Sequence, residues 1–139
     1  MSTRTLPVVA LAAVACLPLS PGTALGSSRG VLHAMSVAQR PIAGELKLIA
    51  RCKAPTCFAR HGRYLEADAM TAGADVRVAL RGRESNCARV AAGLYLDAAS
   101  AYRLAGHAFR YRHYASAGRQ VTIGNRSLVA AATRARRCI

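Results

Sequence analysis

The 139-residue chain reads as an all-β protein, a small disulfide-stapled β-sandwich or barrel-like domain behind a cleaved signal peptide. Three observations predict that class. Glycines fall at 62, 73, 82, 93, 106, 118 and 124, mostly 9 to 13 residues apart, which is the turn rhythm of short strands. The segment ADVRVALRGR (74–83) alternates Val76, Val78 and Leu80 with Arg77, Ala79 and Arg81, giving one apolar and one charged face. QVTIGNRSLVAAA (120–132) sets Gly124-Asn125 between two apolar pairs, a two-residue hairpin signal. An all-helical chain would carry glycines inside its helices at about 1 kcal/mol each, and the β reading is preferred on that ground.

The elements follow in order. Residues 1–26 have the three-part layout of a secretory signal: Arg4, an apolar run from Leu6 to Leu19, a break at Pro21-Gly22, and small residues at Ala24 and Gly26. The run is too short, and too interrupted by Pro7 and Pro18, for a stable membrane span. Lipidation of Cys16 is an alternative, although Ala13-Val14-Ala15 is a poor version of the motif it needs. Residues 27–40 are small and polar and read as a flexible N-terminal arm. A single β-rich domain is expected over 41–139, with a first strand at 45–52, because Pro41 and Gly44 disfavour a long helix there. In 94–118, Phe109, Tyr111 and His113 alternate with Arg110 and Arg112 as on a strand, while the Ala-rich middle would also suit a helix. The C-terminal SLVAAATRARRCI suits closure as a short helix.

Cysteine usage supports export. Removing the signal removes Cys16 and leaves Cys52, Cys57, Cys87 and Cys138, which read as two disulfides. Three pairings are open. Cys52–Cys57 and Cys87–Cys138 are favoured, the first closing a tight loop around Pro55 and the second tying the C-terminus to mid-chain. A zinc site would want two close cysteine pairs and a thioredoxin-like site a C-x-x-C, and neither spacing is present, so no metal or cofactor is expected. The expected location is secreted, periplasmic or in the cell envelope.

The chain carries 20 Lys and Arg against 6 Asp and Glu, a formal net charge of +14. That balance predicts attraction to polyanions. Arginine greatly outnumbers lysine and alanine is abundant, a pairing that a GC-rich genome also produces, but codon bias does not explain the scarcity of acids. Two patches stand out. The loop RCKAPTCFARHGR gathers Arg51, Lys53, Arg60, His61 and Arg63, and a disulfide-fixed basic loop lowers the ordering cost of holding an anion. FRYRHY (109–114) interleaves aromatics with Arg110 and Arg112, which suits base stacking and phosphate contact. Arg134, Arg136 and Arg137 adjoin Cys138 and extend the footprint, near Arg83 and Arg89 if Cys138 pairs with Cys87.

The expected function is therefore a secreted basic binding module that docks on an anionic polymer (envelope polysaccharide or nucleic acid) or on an acidic partner protein. The alternative is a small secreted phosphodiesterase of the ribonuclease type. Its residue types would be His61 or Glu66 as base, His113 as acid and Arg112 as phosphate clamp. A membrane-disrupting toxin is a third option, weakened by the lack of a bulky amphipathic segment.

Overall fold

The computed structural model describes residues 27–138. It contains four helices, α1 (Ser28–Arg51), α2 (Pro55–Ala79), α3 (Asn86–Arg110) and α4 (Tyr114–Arg136), and no strand among the described residues. The β-sandwich or barrel is thereby corrected to an all-α bundle. Residues 28–40, expected as a flexible arm, are the first half of α1 and bury Val31, Leu32 and Met35. The signal-peptide reading of residues 1–26 lies outside the described residues.

The physical reason is a seam of small residues repeating in steps of three and four. In α2 it runs Gly62, Leu65, Ala69, Ala72, Val76, Ala79; in α3 Ala88, Ala91, Tyr95, Ala98, Tyr102, Ala105, Phe109; in α4 Ala117, Val121, Gly124, Leu128, Ala131, Ala135. All of these are buried, and a mean step of about 3.5 residues keeps such a seam facing the neighbouring helices. Alanine has the highest helix propensity and lets helix backbones approach closely.

Gly62, Gly106 and Gly124 act at helix contacts rather than as turns. A Cβ on Gly106 would lie 2.5 Å from the Gly62 carbonyl oxygen, and one on Gly62 would lie 2.8 Å from the Gly106 carbonyl oxygen. The two glycines therefore set the contact between α2 and α3. Gly124, expected at a hairpin tip, sits mid-α4 under the ring of Tyr102, whose hydroxyl donates to Asn125 Oδ1 at 2.7 Å. Gly82, with φ +82°, does the turn work expected of it, in the α2–α3 connection. The alternation of Val76 and Val78 is local: Val76 is fully buried and Val78 is 55% exposed on α2.

Helix ends are marked by ordinary chemistry. Ser27 caps α1 by accepting the Gly30 N–H, and Ser85 caps α3 by accepting the Ala88 N–H. Pro55 opens α2 at its first turn, where a missing N–H costs nothing. Pro41 lies inside α1 at an exposed position without ending it.

Consecutive helices pack antiparallel. α1 lies on α2, α2 on α3 and α3 on α4, with a smaller contact between α1 and α3. Both expected disulfides are present. Cys52–Cys57 closes the α1–α2 turn, and Cys87–Cys138 joins the start of α3 to the end of α4. Ser28 and Ser85 exchange hydrogen bonds at 2.9 and 3.0 Å, which brings the start of α1 beside the start of α3. The result is a rod about 37 Å long, the length of a 25-residue helix. Its upper end carries the α1–α2 and α3–α4 turns. Its lower end carries the α2–α3 turn and the end of α4. No described helix is long and apolar enough to cross a membrane.

Candidate anion-binding surface

The two patches singled out in the sequence meet at the upper end. Phe58, one residue past Cys57, stacks on Phe109 with ring centroids 5.9 Å apart and tilts against Tyr114 at 5.2 Å. This aromatic contact joins the disulfide-closed turn to the α3–α4 turn. Arg51, Lys53, Arg60 and Arg63 are exposed on one side, and Arg110, Arg112 and His113 on the other. None of Arg51, Lys53, Arg60, Arg63 and Arg112 has an acidic partner among the described residues.

The α3–α4 turn is short, and its form is set by the end of α3. The His113 N–H donates to the Ala108 carbonyl at 2.8 Å and the Arg112 N–H to the Phe109 carbonyl at 3.2 Å. That pair of bonds is a Schellman motif, whose left-handed position is normally glycine. Here the position is Arg112, with φ 64°, the only non-glycine with positive φ among the described residues. Placing a side chain there costs about 1 kcal/mol. Beside it, Arg110 lies 5.2 Å from the centroid of the half-exposed Tyr111 ring, and His107 stands 4.7 Å from the same ring.

The nearby acids are already engaged. His61 Nδ1 is 2.9 Å from Glu45 Oε2, linking α1 to α2. Glu66 receives His107 at 3.2 Å and Arg110 at 3.8 Å, linking α2 to α3. Burial, and secondarily the charge of Glu45, pushes the Asp68 carboxyl above its ordinary range. The residues of the hydrolytic alternative are thus distributed over different pairs. His61 faces Glu45, Glu66 faces His107 and Arg110, and His113 stands exposed as the N-cap of α4 without a side-chain capping bond. His61 and Glu66 are five residues apart on α2 and point to different sides of it. No group of three or more His, Cys, Asp or Glu side chains is arranged to hold a metal among the described residues.

The third predicted cluster is elsewhere. Arg134, Arg136 and Arg137 lie at the lower end, brought beside Arg83 and Arg89 by the Cys87–Cys138 bridge, a helix length from the upper patch. Glu45, His107 and Tyr64 escaped the sequence reading. The signal for His107, Arg110 and Tyr111 was their three- and four-residue spacing, which a strand period hides. A shallow groove of about 220 Å³ on the side of the rod is lined by Met70, Gly73, Arg77, Leu96, Ser100 and Arg103, among others. Comparison with known protein families, curated proteins and solved structures finds no match.

Proposed function

We propose that the protein is an exported binding module whose upper end grips a polymer of repeating anions, a phosphodiester strand or an acidic glycan. The observation that carries this reading is the meeting of the two arginine-rich turns through Phe58, Phe109 and Tyr114, with five neighbouring cations left without an acid. The Cys52–Cys57 bridge and the aromatic contact hold the patch in place before a ligand arrives, which lowers the ordering cost of binding. Guanidinium groups match phosphate and carboxylate in a two-point geometry. The half-exposed Tyr64, Tyr111 and Tyr114 offer ring faces for bases or sugars. Two disulfides suit a compartment outside the cytosol. The hydrolytic alternative ranks second, because Glu66 and His61 are each committed to another partner.

Arg112 supplies the sharpest test. A glycine would relieve the left-handed backbone, so Arg112→Gly is expected to stabilise the fold by about 1 kcal/mol. The same change removes a cation from the patch, so retention on single-stranded DNA and on heparin is expected to weaken, with the salt slope on DNA shallower by about 0.7. A wild-type protein that elutes from both supports with an uncharged control of its size overturns the reading. So does an Arg112→Gly protein that melts higher and binds as before.

A further inference from the structure

We infer that the protein is bivalent: its two ends each hold a separate phosphodiester strand, so that it links strands rather than coating one. The inference rests on the polyanion reading above and extends it to the lower end, which is built by other residues. Arg81 and Arg83 stand exposed in the α2–α3 turn. Arg137 follows α4 and is brought beside the start of α3 by Cys87–Cys138. Arg29, in the first turn of α1, is brought close by the Ser28–Ser85 bonds. Arg29, Arg81, Arg83 and Arg137 have no acidic partner among the described residues. Glu84, the acid in the turn itself, is 6% exposed and turned inward, accepting the Arg81 and Gly82 N–H groups and the Arg89 guanidinium.

The two ends are separated by about 37 Å, several times the screening length of about 8 Å at physiological salt, so each attracts a strand independently of the other. Between them the waist of the rod carries Asp68 and Asp97 among the exposed Arg40, Arg103 and Arg126, a mixed charge that holds a strand less firmly than either end. Each helix runs from one end to the other, so the separation is set by helix length.

The experiment mixes donor-labelled and acceptor-labelled DNA duplexes of about 20 base pairs with the protein in substoichiometric amount at about 0.15 M salt, a regime where distant charges are screened. Energy transfer reads linking, and fluorescence anisotropy with one labelled duplex reads simple binding. Three variants each lose three exposed cations: Arg51, Lys53 and Arg60→Gln at the upper end, Arg81, Arg83 and Arg137→Gln at the lower end, and Arg40, Arg103 and Arg126→Gln at the waist. The wild type and the waist variant are expected to give energy transfer. Either end variant is expected to lose it while still binding one duplex within about tenfold of the wild type. Circular dichroism confirms that each variant is helical. Energy transfer lost equally in the waist variant overturns the inference in favour of bulk charge neutralisation. Binding by the wild type without energy transfer overturns it in favour of one strand lying alongside, and leaves the polyanion reading intact. Absence of binding by the wild type overturns both.

Discussion

Replacing Gly106 with alanine puts the close approach of α2 and α3 to a direct test. The new Cβ would stand 2.5 Å from the Gly62 carbonyl oxygen, 2.5 Å from the Glu66 nitrogen and 3.0 Å from the Glu66 Cα. These are backbone atoms of a packed helix, and no side-chain rotation clears them. Ordinary contact begins near 3.4 Å, so the helices must open by almost 1 Å. A gap of that size forfeits a quarter to a half of each dispersion contact along the seam, and overpacking of this kind costs about 1–3 kcal/mol. Alanine returns about 1 kcal/mol through helix propensity. The net expectation is a loss of about 1–2 kcal/mol, a fall in Tm of about 4–8 °C for a domain of this size. Gly93 supplies the internal comparison. It lies in the same helix, and a methyl group added there would meet nothing within 4 Å, so Gly93→Ala should gain about 1 kcal/mol. Thermal and urea melts followed by far-ultraviolet circular dichroism measure both. The reasoning is refuted if Gly106→Ala melts at or above the wild type, or if the two substitutions move stability in the same direction.

Two further outcomes are expected. Replacing Cys87 and Cys138 together with serine should cost about 4 kcal/mol through the long loop they close, and the same change at Cys52 and Cys57 about 2, compared by urea melts of the two variants. Glu84 is held below the ordinary glutamate range by its own backbone N–H first, with the Arg81 and Gly82 N–H groups and Arg89 adding to it, which together outweigh the opposing desolvation. Its contribution to stability is therefore present above the ordinary glutamate pKa and lost as pH falls through the depressed folded value. Glu84→Gln should lower Tm at neutral pH and converge with the wild type in acid, and a Tm difference that stays constant from neutral pH down to about pH 2 would rule this out.

The sequence was legible where chemistry is local and misleading where periodicity is carried by small side chains. Cysteine pairing followed from spacing and parity, because a six-residue loop and a C-terminal tether are the natural closures of four cysteines. The arginine-rich segments around Cys52 and Tyr111 were visible as composition, and the fold brings them together. The helices were hidden because Gly62, Ala69, Ala72, Ala98, Ala105 and Gly124 contribute little hydrophobicity to any periodic count, yet they form the seam. Three bulky residues in 76–80 imitated a strand, and Gly124-Asn125 imitated a hairpin whose real partner, Tyr102, is 22 positions earlier. A glycine that costs about 1 kcal/mol in an isolated helix offsets that cost when its missing Cβ admits a neighbouring backbone or ring. That compensation depends on tertiary contact and leaves no mark on the surrounding residues.

The placement of the two sulfur links decides how the molecule would survive proteolytic attack. Lys53, in the first turn, lies between Cys52 and Cys57, and Arg112, in the third, lies between Cys87 and Cys138. A trypsin-like enzyme that nicked either turn would leave every piece covalently attached, and the cut would emerge only on a reducing gel. The middle turn, with Arg81 and Arg83, is enclosed by neither link. Of the three turns, only a cut there would leave two hairpins with no covalent link between them, held by noncovalent packing, chiefly of α2 on α3.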